Sequence, residues 1–176
     1  MPQRIHIMGT SGSGKSHLGR RLASALRIPH VELDALFHGP DWTPAEPERF
    51  RADVARVAAS DAWIVDGNYA AVREVLWARA TLVIFLDRPR FRVMSQLAAR
   101  SLSRSLRGTP LWNGNREHLR NLLRRDPREN VLLWSWLRYA PDRAEFRAAA
   151  TDPRWATARF VRVRSVAEAL SLTCAG

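Results

Sequence analysis

The segment 9–16, with the sequence GTSGSGKS, constrains the fold of this chain more than any other, because it has the G-x-x-x-x-G-K-[ST] spacing of a phosphate-binding loop. Such a loop works between a buried strand and the N-terminus of a helix, where backbone N–H groups face an anion. Both flanks are present: residues 4–8 alternate polar and apolar side chains, and apolar residues recur at helical spacing over 16–26. The sequence therefore predicts a strand, a phosphate loop and a helix, in that order.

The loop also contains Lys15, the only lysine among 28 basic residues. A compact ammonium group fits beside the outer phosphates of a nucleoside triphosphate, where the planar guanidinium of arginine is a poor substitute. We therefore predict that ATP and Mg²⁺ are the cofactors, that Lys15 is also catalytic, and that the Ser16 hydroxyl is a metal ligand. The predicted cofactor-binding residues are Gly9, Ser11, Gly12, Ser13, Gly14, Lys15, Ser16 and His17.

Length and composition predict one domain spanning residues 1–176. The apolar runs are far shorter than the roughly 18 residues that a membrane-spanning helix needs, so we expect a cytoplasmic protein and no membrane partner. The lone cysteine, Cys174, excludes an internal disulfide. Residues 88–164 carry 18 arginines against 6 acids, whereas residues 1–87 have 10 groups of each sign, so an anionic partner for the second half is one interpretation.

Strands and helices are predicted to alternate, which is typical of an α/β fold with a parallel sheet. The predicted strands are 4–8, 30–33, 62–66, 81–86 and 159–163. The predicted helices are 16–26, 47–59, 70–78, 89–104, 116–125, 130–149 and 166–172, with Pro141 expected to kink or split the longest.

Three predicted strands end in a carboxylate, and the C-terminal ends of parallel strands meet at the ligand-binding edge of the sheet. Asp66 and Asp87 each follow an apolar strand, so either one suits the acid on the magnesium side of the nucleotide. We favour Asp66, because Gly67 and Asn68 follow it and let the backbone approach a ligand, whereas Asp87 precedes Arg88-Pro89 and is also suited to capping the next helix. The third, Asp34, is suited either to deprotonating an acceptor hydroxyl or to capping the residues that follow it.

Residues 29–37 (PHVELDALF) and 63–69 (WIVDGNY), with the later segments 84–89, 111–117 and 134–139, together resemble the DNA topology modulation proteins. That family is similar to adenylate-kinase-type P-loop kinases. The resemblance implies a three-layer P-loop NTPase fold with a five-stranded parallel sheet in the order 2-3-1-4-5. It also implies an acceptor-binding region at about 34–60 and an arginine-rich lid at about 100–128.

The acceptor site is predicted at Asp34, Phe37, Gly67, Asn68 and Arg73. Adenylate kinases have an arginine four residues after their Asp-Gly aspartate, whereas Arg73 here comes seven residues after Asp66, so an adenylate acceptor is not implied. The pair Glu32-x-Asp34 resembles the Asp-x-Asp segment of shikimate-type kinases, which favours a hydroxyl acceptor.

In the lid, Arg100 and Arg104 share a helix face and are predicted catalytic residues that stabilise charge on a transferring phosphoryl group. A solvated basic face is the alternative interpretation of these arginines. Trp42 and Trp112 are candidates to cover a bound acceptor.

The sequence thus favours a phosphotransferase that moves the γ-phosphoryl of ATP to a small acceptor, either a nucleotide or a hydroxyl compound. A nucleic-acid-associated ATPase and a nucleotide-gated regulatory binder remain alternatives. The basic second half supports the former, but the chain has no helicase-like motor motif and no recognisable nucleic-acid module.

Overall fold

The computed structural model describes residues 3–174 and, of Cys174, the backbone only. Its centre is a five-stranded parallel sheet in the order β2-β3-β1-β4-β5. This confirms the predicted α/β class and strand order. The strands are β1 (Arg4–Met8), β2 (His30–Glu32), β3 (Trp63–Asp66), β4 (Leu82–Leu86) and β5 (Arg159–Val163).

Eight α-helices and three single 3₁₀ turns are assigned among the described residues. The helices are α1 (Lys15–Leu26), α2 (Leu33–Phe37), α3 (Pro47–Ala59), α4 (Ala70–Trp77), α5 (Arg90–Arg107), α6 (Leu119–Leu122), α7 (Val131–Ala150) and α8 (Val166–Cys174). The 3₁₀ turns cover Pro40–Trp42, Trp112–Gly114 and Pro153–Trp155. Within the described range, no helix is both long and apolar enough to cross a lipid bilayer.

The two faces of the sheet are covered by different helices, because successive side chains of a strand point to opposite faces. On one face, Leu18 and Leu22 of α1 and Ala169 of α8 pack on alternate strand residues such as Ile5 and Ile64. On the other face, α3, α4 and α7 pack on the strand residues between them, among which Trp63 and Val65 are fully buried. Because β1 and β3 are parallel neighbours, their C-terminal ends lie at the same edge of the sheet. The phosphate loop begins at this edge, directly after β1.

Three element predictions differ from the structure. Strand β2 ends at Glu32, and Leu33 begins a five-residue helix, so Asp34 lies inside α2 and does not follow a strand. The predicted helix 116–125 is reduced to the four residues of α6. Pro141 does not split the long helix, because α7 continues through it from Val131 to Ala150.

A buried histidine supports the sheet below the site. Trp77 Nε1 donates a hydrogen bond to His6 Nδ1 at 2.8 Å, so His6 Nε2 carries the ring hydrogen and donates it to the Gly67 carbonyl at 2.9 Å. His6 is 2% exposed, and its burial lowers its pKa to about 4. The neutral ring thereby fixes the carbonyl of Gly67, the residue that follows Asp66.

Candidate functional site

The phosphate loop is shaped by three glycines with left-handed backbone angles, Gly9, Gly12 and Gly14, whose φ values are 149°, 87° and 100°. At Gly12 a side chain is excluded twice, because a Cβ there would lie 2.8 Å from both the Leu97 Cβ and the Val93 carbonyl of α5. Ser13 lies fully buried in the loop, and its hydroxyl has no hydrogen-bond partner within residues 3–174. Helix α1 begins directly after Gly14, so the loop and the first turn of α1 form a cradle suited to phosphate oxygens.

Lys15 is held over this cradle. Its Nζ lies 3.4 Å from the Thr10 carbonyl, to which it donates. Burial lowers the pKa of Lys15, while the charges of Asp66, Asp34 and Asp142 oppose that shift. Three carboxylates from three different segments thus act electrostatically on the single ammonium group, without an ion pair among the described residues. His17, by contrast, lies exposed in the first turn of α1.

The structure separates the two candidate acids for the magnesium side. Ser16 Oγ donates to Asp66 Oδ1 at 3.2 Å, so the predicted hydroxyl ligand and one of the two acids are adjacent. Asp87 is instead paired with Arg143 and Arg162, which occupy both of its carboxylate oxygens. It does not cap α5, whose N-cap is Pro89. The geometry thus favours Asp66.

The donor atoms around Asp66 fit a divalent cation. The Ser16 hydroxyl and the Asp66 carboxylate are oxygen donors of the kind that Mg²⁺ prefers. Three potential ligand atoms also lie within 4.8 Å of one another: one carboxylate oxygen each of Asp66 and Glu32, and one ring nitrogen of His30. His30 Nε2 is 2.7 Å from Asp66 Oδ2.

Asp34 faces an aromatic side chain and does not cap α2. Tyr69 Oη donates to Asp34 Oδ1 at 2.7 Å, whereas Asp34 Oδ2 accepts no hydrogen bond from the described part of the chain. Burial, together with the neighbouring Asp34 charge, raises the pKa of Tyr69, so the phenol keeps its proton. The Phe37 ring packs 4.7 Å from that of Tyr69, and His38 Nε2 lies 3.5 Å from Tyr69 Oη. Asp34 and Phe37 therefore both contact the Tyr69 side chain.

Asn68 makes all its hydrogen bonds inside the protein. Its Oδ1 accepts from the Gly9 N–H at 3.1 Å, and its Nδ2 donates to the Gly9 carbonyl at 3.0 Å and to Asp142 Oδ2 at 2.9 Å. Both amide hydrogens are used, so Asn68 fixes the start of the phosphate loop. Gly67, beside it, has φ 140°, and a Cβ there would meet the Leu33 side chain at 2.8 Å.

Arg73 is not brought to the phosphate loop. Its guanidinium pairs with Glu145 at 2.6 Å and lies over the Trp77 ring. Both residues line an open groove of about 500 Å³ whose walls also include Arg51 and Trp155 and no phosphate-loop residue.

Helix α5 carries Arg100 and Arg104, which differ in whether the guanidinium has an ion-pair partner. Arg104 pairs with Glu117 at 3.0 Å. Arg100 has no ion pair or hydrogen bond among the described residues, and its Nε is buried. Burial lowers the pKa of Arg100, the Arg104 charge adds to this, and Glu117, Asp34 and Glu32 oppose it. Arg100 is therefore a largely buried cation without a counterion.

The segment predicted as the lid is joined to the segment after α2 by a clasp, which we define as the contacts between residues 38–42 and 113–116. The buried side chain of Asn115 accepts from the Trp42 N–H at 2.9 Å and donates to the Gly39 carbonyl at 2.8 Å. Asn113 Nδ2 donates to the His38 carbonyl at 2.5 Å, and Trp42 Nε1 donates to the Arg116 carbonyl at 3.1 Å. Trp42 and Trp112 pack edge to face at 6.5 Å.

Sequence reasoning missed the contribution of α7. Ser135 Oγ donates a hydrogen bond to the Ser11 carbonyl at 2.9 Å. Asp142 accepts a hydrogen bond from the Asn68 amide and forms an ion pair with Arg138 at 2.7 Å. Burial raises the pKa of Asp142, and Arg138 opposes that shift. No motif marks these side chains in the sequence, and their burial on α7 becomes evident only in the structure.

Comparisons with known proteins agree with this architecture. A gluconokinase from Sinorhizobium meliloti 1021 superposes with a TM-score of 0.52 at 22% identity, covering 95% of this chain and 86% of that one. A shikimate kinase from Bacteroides thetaiotaomicron gives 0.56 at 16% identity, covering 97% of each chain. A sugar kinase from Janibacter sp. HTCC2649 gives 0.52 at 19% identity, covering 99% and 98%. The chain therefore has the P-loop kinase fold.

Sequence comparison is less informative. No family model matches the chain. An uncharacterized protein, YqaC of Bacillus subtilis (strain 168), is 29% identical over 106 residues, which are 59% of this chain. The match spans 60% of that relative's length. The resemblance to the DNA topology modulation proteins is not confirmed by these comparisons, whereas the kinase-type fold that it implied is.

Proposed function

We propose that this protein is a phosphotransferase that moves the γ-phosphoryl group of Mg-ATP to a small acceptor, with a hydroxyl compound favoured over a nucleotide. The observation that carries the proposal is a glycine-shaped phosphate loop that holds Lys15 Nζ 3.4 Å from the Thr10 carbonyl and leads into a helix whose Ser16 Oγ lies 3.2 Å from Asp66 Oδ1. Lys15 interacts with both Asp34 and Asp66, and Arg100 interacts with Lys15 and Asp34. Phosphoryl transfer needs this combination of cations and carboxylates.

The phosphate loop and Lys15 would hold the triphosphate, and Ser16 and Asp66 would hold the metal ion. When bound, Mg²⁺ neutralises charge on the outer phosphates and orients them. Asn68 and Ser135 keep the loop in its cradle shape through Gly9 and Ser11. A preformed cradle does not have to reorganise when charge develops on the phosphate oxygens.

Asp34 would accept the proton of the acceptor hydroxyl through its free Oδ2, while Tyr69 holds Oδ1. The acceptor oxygen then bonds to the γ-phosphorus, the bond from that phosphorus to the β–γ bridging oxygen breaks, and ADP leaves with the electron pair. Arg100, which lacks a counterion, would stabilise the charge on the transferring group. We place the acceptor region at about 34–60 and the lid at about 100–128 of a single domain spanning residues 1–176.

The neighbours support a hydroxyl acceptor, because the solved structures of this fold include a gluconokinase, a shikimate kinase and a sugar kinase. The placement of Arg73 points the same way. It is paired with Glu145 and lines a groove that contains no phosphate-loop residue, so it is not placed to receive an acceptor phosphate beside that loop.

The test has two parts. Calorimetric titration with Mg-ATP should give saturable heat with the wild type and at least a hundredfold weaker binding with Lys15→Ala. ADP formation should then be accelerated by a hydroxyl compound in a panel of sugars, hydroxy acids and nucleoside monophosphates. Tight binding without accelerated turnover would instead identify a regulatory binder.

Arg100→Ala should lower kcat by roughly a hundredfold to a thousandfold, as is usual for loss of a group that stabilises transition-state charge. Arg107→Ala is the matched control, since Arg107 is exposed, lies two turns further along α5 and has no ion pair in the described structure. Equal activity of the two variants would remove Arg100 from the mechanism.

A further inference from the structure

The acid beside the metal-binding hydroxyl is held from behind by a histidine. His30 Nε2 lies 2.7 Å from Asp66 Oδ2, and both side chains are almost completely buried, with exposed fractions of 8% and 4%. An ionised carboxylate only accepts hydrogen bonds, so Nε2 carries the hydrogen that it donates to Oδ2. Asp66 Oδ1 is left to face Ser16 Oγ.

Space for this imidazole comes from a glycine inside helix α1. A Cβ on Gly19 would lie 2.2 Å from His30 Nε2 and 2.7 Å from two ring carbons, and these three ring atoms are its nearest neighbours. The backbone of Gly19 is ordinary helix, so alanine is excluded by the imidazole and not by a strained φ. Glycine weakens a helix interior relative to alanine. The glycine therefore lowers the stability of helix α1, which carries Lys15 and Ser16, at the position where the His30 imidazole packs against it.

Strand register brings the two groups together. In the β2–β3 ladder His30 is paired with Ile64 and Glu32 with Asp66, so the side chains of His30, Glu32 and Asp66 lie on the α1 face of the sheet. Glu32 is turned to Arg20 of α1, with which it pairs at 2.8 Å. His30 is therefore the neighbour that fixes the second oxygen of Asp66.

We propose that His30 is a positioning residue for magnesium. His30 orients the Asp66 carboxylate so that Oδ1 and the Ser16 hydroxyl face the same cation. The absence of a side chain at Gly19 leaves the space that the His30 imidazole occupies. A hydrogen bond to the rear oxygen of a ligating carboxylate fixes its direction, and loss of such a partner typically lowers metal affinity by roughly ten- to a hundredfold. This inference rests on the proposed function, since it assigns His30 to the metal bound with ATP.

The experiment separates metal affinity from nucleotide affinity. The dissociation constant of ATP is measured by calorimetry in EDTA and at a series of Mg²⁺ concentrations, for the wild type, His30→Leu and His30→Gln. We expect His30→Leu to need about ten to a hundred times more Mg²⁺ than the wild type for half-maximal enhancement of its ATP affinity. Its affinity for ATP in EDTA should stay within about twofold of the wild type. Glutamine, whose amide N–H can donate to Asp66, should recover much of the loss.

A second pair of variants keeps the test independent of folding defects at position 30. Gly19→Ala should raise the Mg²⁺ requirement in the wild-type background, because the methyl group displaces the imidazole. In a His30→Ala background the same change should add nothing to that requirement, because the space is then empty. Thermal unfolding of each variant shows which proteins are folded at the temperature of the titration.

Three results would overturn the inference. The first is a Mg²⁺ requirement that is equal in wild type and His30→Leu, which leaves the proposed function intact. The second is a His30→Gln variant that needs as much Mg²⁺ as His30→Leu, which would mean that His30 does not act by donating a hydrogen bond to Asp66. The third is a wild type that binds no ATP under any condition, which would overturn the proposed function as well.

Discussion

At the scale of single residues, the buried polar groups are assigned definite protonation states by their partners. His6 is the clearest example, because one ring nitrogen accepts from Trp77 and the other donates to Gly67. A second ring proton would meet the Trp77 N–H and would carry charge into a buried site. The neutral ring is therefore part of the folded structure.

We predict that His6 makes the protein acid-sensitive. Its pKa of about 4 in the folded state lies below its value of about 6.5 in an unfolded chain. The unfolded state therefore binds the proton more readily, so the stabilisation is fully present above pH 6.5 and is lost as the pH falls to 4. The loss amounts to about 3 kcal/mol of the free energy of unfolding.

Chemical denaturation at pH 7 and at pH 4 measures this loss, and NMR titration of the ring reports the pKa directly. His6→Gln is the control, since its amide oxygen and N–H replace the acceptor and donor without titrating. A ring that titrates near pH 6.5 in the folded protein would contradict the assignment.

At the scale of elements, the sequence predicted those parts of the site that a motif or a strand end marks. The phosphate loop and α1 were predicted because their residue types are needed at fixed spacing, whereas Asp66 was only favoured, because Gly67 and Asn68 follow it. The choice between Asp66 and Asp87 stayed open in the sequence, because the arginines that occupy Asp87 come from α7 and β5, far along the chain. The position of Asp34 was misjudged because residues 30–33 are equally suited to a strand and to the start of a short helix.

The clasp is a second feature of this scale that sequence patterns did not reveal. The sequence predicted an arginine-rich lid at about 100–128, but no pattern indicated that Asn113 and Asn115 hydrogen-bond to the backbone of residues 38–42. These hydrogen bonds join segments more than 70 residues apart, so they depend on the tertiary structure and not on local sequence patterns.

We predict that Asn115→Ala opens the clasp. Asn115 is buried and makes two hydrogen bonds, and loss of a buried hydrogen-bond partner costs about 1–3 kcal/mol. Amide hydrogen exchange at Trp42, whose N–H Asn115 accepts, should accelerate roughly tenfold or more.

The control for this prediction is Asn113→Ala, which removes one hydrogen bond from an exposed side chain and should change the Trp42 exchange rate less. An unchanged rate at Trp42 in the Asn115→Ala protein would show that the clasp does not restrain the lid.

At the scale of the whole molecule, one sheet joins both hydrophobic clusters. Strand β1 contributes Met8 to one face and Ile5 and Ile7 to the other. The alternating order of strands and helices made this architecture predictable from the sequence. Several arginines after residue 88 are paired with acids of the same half, as Arg104 is with Glu117, so part of the uneven charge is neutralised inside the protein.

A shared sheet predicts cooperative unfolding. Scanning calorimetry should show one transition whose calorimetric and van't Hoff enthalpies agree. The heat-capacity change should be about 2.1–2.6 kcal/mol/K for 176 residues. Two separate transitions would mean that the lid or the acceptor region unfolds independently of the sheet.

The solitary lysine has a practical consequence. Because burial lowers the pKa of Lys15, a larger fraction of it is the neutral, nucleophilic amine near neutral pH than for an exposed lysine. No other side chain of the chain offers a primary amine. Peptide mapping would distinguish a label on the N-terminal α-amino group from the label on Lys15, the only amine side chain that a small amine-selective acylating reagent could modify. Protection of that amine by added triphosphates would report occupancy of the cradle without any knowledge of the acceptor.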